Sequence, residues 1–146
     1  MSIHISGAIL TVADQDVMIE FFVSKLGFEV RNDVQMGAEF EGAGKGFRWL
    51  TVGPPDQPDV EFILADPGMG NDEATAEQIR ALVAKGALGA GVLETDDIQK
   101  THEELSARGV VFTQAPEQRP YGYEALLRDD SGNWFSLVER TVGGAR

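Results

Sequence analysis

Residues 8–30, AILTVADQDVMIEFFVSKLGFEV, return at 91–112 as GVLETDDIQKTHEELSARGVVF. Ile9 falls on Val92, Leu10 on Leu93, Asp14 on Asp97 and Phe22 on Leu105. After a one-residue deletion in the second copy, Gly27-Phe28 falls on Gly109-Val110. What repeats is a physical programme. An apolar, β-prone run leads to an aspartate able to cap a helix, apolar residues follow at helical spacing, and a glycine stands where the helix must end. Such a unit carries one apolar helix stripe and one apolar sheet face, so it cannot bury itself alone. Its twin, a partner or a ligand must cover the rest.

The remainder of each copy reads as strands. In the first, residues 8–12 are a strand apolar on both faces, Asp14 is the cap, and Met18, Phe21, Phe22 and Leu26 follow at helical spacing to Gly27. Phe28–Arg31 begins a second strand. Phe47–Val52 and Val60–Leu64 are two more, separated by the turn Gly53-Pro54-Pro55-Asp56. The glycine-rich stretch Gly37–Gly46 reads as a hairpin or flexible loop. The second copy adds strands at Tyr121–Arg128 and Trp134–Arg140, joined by the turn Asp130-Ser131-Gly132-Asn133. Between the copies, Asn71–Lys85 places Ala76, Ile79, Leu82 and Val83 on one side of a connecting helix, with acids early and Gly86 after its end. The reading is an α+β chain made as one domain, 1–146. It has a βαβββ module at 1–66, a connecting helix at 67–87 and a second βαβββ module at 88–142.

Composition narrows the function classes. There is no cysteine, which excludes disulfides, thiolate metal sites and cysteine nucleophiles and fits a reducing compartment. With 24 acidic residues against 12 basic ones the formal net charge is −12, which repels a phosphate backbone and attracts cationic small molecules. No signal-type N-terminus and no long apolar run is present, so the expectation is a cytoplasmic protein that engages neither nucleic acid nor membrane. No Gly-x-Ser-x-Gly or phosphate loop occurs. The segment GAGKGF (42–47) lacks the full phosphate-loop spacing and opens no helix.

The tandem βαβββ pattern, with LGFEV (26–30) after the first helix and RDDSGNWFSLVE (128–139) near the end, resembles the vicinal oxygen chelate superfamily of glyoxalases, bleomycin-resistance proteins and extradiol dioxygenases. The resemblance spans about residues 7 to 140 and implies an open, curved barrel. In the family's enzymes it also implies one divalent metal held by histidine, glutamate or glutamine on the inner strands. Transferred to this chain, the positions are Gly7, seven residues before Asp14; Ala90, seven before Asp97; Ser136 in GNWFS; and Glu61 in VEFIL. Only Glu61 offers a carboxylate, and catalytic metals take about three protein donors. His4 stands three residues before Gly7, an odd offset that turns it to the opposite strand face unless a bulge intervenes. His102 lies on the second helix, on the side that packs against the sheet.

The resemblance also reaches metal-free binders, the bleomycin-resistance-type proteins, which are acidic dimers holding a cationic, aromatic antibiotic between subunits. On that pattern the expectation is a homodimer that binds a small aromatic or cationic molecule without metal or other cofactor. Trp134 and Ser136 share strand parity, as do Phe47 with Trp49 and Tyr121 with Tyr123. Flat aromatics stack on heteroaromatic rings and on cations. Glu61 is an acid for the inner wall, Arg119 and Tyr121 shape a rim, and Gly7 and Ala90 leave room. The candidate ligand-binding set is therefore Phe47, Trp49, Glu61, Arg119, Tyr121, Tyr123, Trp134 and Ser136. Glu61 pairing with Arg48 or Arg128 is its structural alternative. Two other function classes stay open: a glyoxalase- or dioxygenase-type metalloenzyme or lyase built on Glu61 and further ligands such as His4, and a protein-interaction module with an apolar sheet face.

Overall fold

The computed structural model describes residues 1–37 and 46–141. The first module runs β1 (Gly7–Thr11), α1 (Gln15–Ile19) continuing into a π-helical turn (Glu20–Lys25), β2 (Glu29–Met36), β3 (Phe47–Gly53) and β4 (Glu61–Ala65). After α2 (Glu73–Ala84) the second runs β5 (Gly89–Glu94), α3 (Ile98–Ala107), β6 (Val111–Arg119), β7 (Gly122–Arg128) and β8 (Trp134–Arg140). Each module makes a four-stranded sheet, ordered β1-β4-β3-β2 and β5-β8-β7-β6. In each the first and last strands pair in parallel and the others antiparallel. This is the mixed α+β architecture the repeat predicts. Most of the glycine-rich 37–46 stretch lies outside the described residues.

The caps form where the repeat places them. Asp14 accepts from Val17 N–H at 3.1 Å and Asp97 from Lys100 N–H at 3.1 Å. Gly27 and Gly109 close the two helices at φ 78° and 90°, a left-handed conformation that a side chain resists. The single extra residue of the first copy is absorbed as the π-turn. There Leu26 N–H reaches back five residues to the Phe21 carbonyl at 3.1 Å. The widened turn lets two consecutive phenylalanines, Phe21 and Phe22, both sink to full burial, which a regular helix seldom allows neighbours to do.

One core serves both modules and lies on the helix side of both sheets. Phe22 meets Phe62 of β4 and Phe135 of β8 at ring-centroid distances of 5.9 and 6.2 Å. Leu10, Leu50 and Leu64 join it from one sheet, and Ala125, Leu127 and Leu137 from the other. The opposite face of each sheet is open: Ile9 is 67% exposed and Val92 62%. Among the described residues no helix is long and apolar enough to cross a membrane.

Candidate functional site

Strand pairing assigns the open face of the first module. Gly7 stands opposite Glu61 and Ile9 opposite Ile63, and Ile63 pairs with Thr51, so Thr51, Trp49 and Phe47 of β3 share the face of Glu61. Val34 opposes Trp49 and Met36 opposes Phe47 across the next ladder. Asn32 Nδ2 donates to Thr51 Oγ1 at 3.0 Å, a polar patch beside the indole. Phe47, Trp49 and Glu61 are each half-buried. The alternative role for Glu61, a pair with Arg48 or Arg128, is not formed. Arg48 lies on the other face and holds Asp33 and Asp16, both at 2.8 Å, while Arg128 donates to the Gly132 carbonyl at 3.2 Å. Those two carboxylates hold the Arg48 guanidinium still more firmly protonated than usual, so it is a staple between α1 and β2.

On the second module Val92, Ser136 and Leu126 are mutual partners across β5, β8 and β7. Alternation then puts Trp134 and Glu124 on that same open face. Ser136 Oγ donates to Glu124 Oε2 at 2.6 Å, and Arg119 Nε approaches Glu124 Oε1 at 3.4 Å. The Tyr121 hydroxyl is pushed above its usual pKa, first by partial desolvation and then by the Glu124 carboxylate beside it. Glu124 is thus the hub that brings Ser136, Arg119 and Tyr121 together. Glu124, three residues past Tyr121, is not among the residues the sequence singles out. Its signal was the antiparallel pairing of Tyr121–Arg128 with Trp134–Arg140, which sets position 124 diagonally from 136. Trp134 is 39% exposed and lies over Gly89, where an added Cβ would stand 2.7 Å from the indole Cζ2. The missing side chain lets the ring lie against the strand.

Three expectations are corrected. Tyr123 does not share a face with Tyr121: Tyr121 sits in the β6–β7 turn, which resets the parity, and Tyr123 packs against the core on the helix side. Ala90 is not on the open face, because a bulge between Gly89 and Gly91 turns it onto the core. Gly7 leaves no simple room for a ligand, since a Cβ there would stand 2.6 Å from the Glu61 carbonyl oxygen. The candidate residues also divide between two sheets, with Phe47, Trp49 and Glu61 on one and Arg119, Tyr121, Trp134 and Ser136 on the other.

The donor set does not fit a divalent metal. Gly7 has no side chain, Ala90 has only a methyl group that packs on the core, and Ser136 is committed to Glu124. His4 is exposed ahead of β1, and His102 packs edge-to-face on Phe112 at 4.5 Å. Among the described residues no three His, Asp or Glu side chains converge as metal ligands.

The sequence matches the model of the Glyoxalase/Bleomycin resistance protein/Dioxygenase superfamily over residues 3–137. The crystal structure of UcmS2 superposes with a TM-score of 0.86 at 46% identity, covering 95% of this chain and 99% of that one. TnmS3 of Streptomyces sp. CB03234, described as an antibiotic binding protein, superposes with a TM-score of 0.71 at 29% identity, covering 97% and 99%. Uncharacterized protein YurT of Bacillus subtilis is 33% identical over 129 residues, 88% of this chain and 93% of its own length.

Proposed function

We infer function from the family to which this chain belongs, the Glyoxalase/Bleomycin resistance protein/Dioxygenase superfamily: it binds a small organic molecule, aromatic or cationic, on its open sheet faces and needs no metal to do so. One observation carries the reading. Three of the family's four donor positions, Gly7, Ala90 and Ser136, offer no free ligating group and leave Glu61 alone, while the open faces present two partly exposed tryptophans and two carboxylates, Glu61 and Glu124. Indoles stack on planar rings, carboxylates accept from ammonium or amide donors, and neither requires an ion. Likeness to an antibiotic-binding protein supports a drug-like ligand and a sequestering role.

The working unit is a homodimer. The open faces carry exposed apolar residues, Ile9 and Val92 foremost, and β1 and β5 each leave one strand edge unpaired. A second copy supplies the wall that each open face lacks, setting Trp49 and Glu61 of one protomer across from Trp134 and Glu124 of its partner.

The test is calorimetric titration of chelator-treated protein with a panel of planar aromatic compounds, neutral and cationic. Saturable binding is expected to survive chelation and to weaken about tenfold in Trp134→Ala, the loss of one aromatic stacking contact. Absence of saturable binding across the panel, or binding that returns only with added zinc, manganese or iron, overturns the reading.

A further inference from the structure

The two modules meet unequally. The β7–β8 turn, residues 129–133, reaches onto the first module where β1 ends. Ser131 Oγ accepts from Ala13 N–H at 2.9 Å, Asn133 Nδ2 donates to the Thr11 carbonyl at 2.8 Å, and Asp130 pairs with Lys25 at 3.3 Å. The repeat relates Thr11 to Glu94 and Ala13 to Asp96. The matching turn of the first module, residues 54–60, is held differently. It is longer and is folded back by Arg31, whose guanidinium donates to the carbonyls of Pro54 at 2.6 Å, Gln57 at 2.9 Å, Pro58 at 3.3 Å and also Val60.

What remains between the turn and the end of β5 is an open cleft of about 720 Å³. Its floor is the shared core, reached through Leu26 and Phe28 from one module and Leu93 and Leu105 from the other. Phe28 is half-buried here, whereas its repeat counterpart Val110 is buried. The rim is acidic, with Asp56 on the turn and Glu94 and Asp96 at the strand end, and among the described residues no lysine, arginine or histidine lines the cleft. Glu94 is tied to Arg140 at 3.0 Å, and the rim's other carboxylates are Asp56 from the first module and Asp96 from the second.

We propose that this cleft, which Val92 borders together with the open face of the second sheet but which neither tryptophan lines, is a second binding site for an organic cation: an ammonium or guanidinium group on an apolar or aromatic body. The apolar floor removes the body from water, and the aromatic face of Phe28 attracts a cation. The two-sided carboxylate rim fixes the charged end, and an overall charge of −12 raises the local cation concentration. A bare metal ion gains nothing from such a floor, and among the described residues no metal-ligating cluster lines it.

Benzyltrimethylammonium chloride, titrated into isotope-labelled protein and followed by amide NMR, tests this, with benzyl alcohol as the neutral comparison. Saturable shifts are expected at the amides of Asp56, Gln57, Thr95 and Asp96. The neutral probe should bind at least about tenfold more weakly, as should the cation to the Asp56→Asn/Asp96→Asn protein. Both aspartates are exposed, so that protein keeps its fold, and an unchanged melting transition checks it. Shifts confined to the Trp134 indole, equal binding of the neutral probe, or cleft shifts that follow protein concentration instead of probe, marking a second copy as the occupant, each overturn the proposal.

Discussion

Gly89 matters through the atom it lacks. With no Cβ, the strand backbone accepts the Trp134 indole close against it, while the residue stays 39% exposed. Gly89→Ala puts a methyl 2.7 Å from Cζ2, so the ring must swing outward. The backbone there needs no left-handed conformation, and the ring borders solvent, so stability should change by less than about 1 kcal/mol. Ligand affinity is expected to fall about tenfold, with a red shift of Trp134 emission read in a Trp49→Phe background. Unchanged emission and affinity would mean that the ring does not depend on the glycine. Residue parity was legible where strands are regular, as for Trp134 with Ser136 and Phe47 with Trp49. It failed at Ala90, where a bulge adds a residue, and at Tyr123, where the turn interrupts the count, because neither changes the apolar pattern that parity is read from. Glu124 was missed for a different reason: its role comes from a strand partner twelve positions on, which only the pairing of β7 with β8 reveals.

At the scale of elements, the one-residue mismatch between the repeats is the most informative feature. The second copy makes a regular α3. The first carries the extra residue as a π-turn, and the gain is the joint burial of Phe21 and Phe22. Deleting the exposed Val23 restores the shorter length and rotates everything beyond it by roughly 100°. One of the two phenylalanines then loses its place, and destabilisation of about 3 kcal/mol or more is expected from the urea midpoint. Val23→Ala, which keeps the length, should cost well under about 1 kcal/mol. Equal stability of the deletion and the parent would show that the π-turn carries no packing role. Caps, helices and inner strands were legible because Asp14, Asp97 and the apolar runs announce them. The outer halves of β2 and β6 were not, since both are edge strands in their sheets and alternate polar residues with no apolar run, and Pro116 sits in the second of them.

At the scale of the whole molecule, the modules are held in register by a core, by Arg108 donating to the Lys25 carbonyl at 2.9 Å, and by a polar latch at the β7–β8 turn. Asp129 is 5% exposed; its Oδ1 accepts from the N–H groups of Ser131, Gly132 and Asn133, and its Oδ2 from Asn133 Nδ2 at 3.1 Å. The same Nδ2 reaches the Thr11 carbonyl of the other module. Burial pushes the Asp129 carboxyl above its usual pKa, and these hydrogen bonds pull in the other direction. A raised acid pKa means that the folded state disfavours the ionised form. The stability this carboxyl contributes is therefore present at low pH and is lost as pH rises through its unfolded and then its folded pKa. Asn133→Ala removes two hydrogen bonds and leaves a buried carboxylate and a carbonyl short of a donor, a loss of about 2–4 kcal/mol near neutral pH. One of the lost bonds favours only ionised Asp129, so the variant's folded pKa rises further. Its deficit should then shrink as pH falls through the raised titration range of this carboxyl, where protonation abolishes the charge that Asn133 served. Urea titrations of both proteins across that range check the sign: a deficit constant with pH would assign the Asn133 effect to the Thr11 carbonyl alone. Because the latch joins the two repeats, the variant should also loosen the opposite junction. The turn at 54–60 that borders the cleft beside Asp96 is tied back to Arg31, so the cleft's width should follow the plug at the other end.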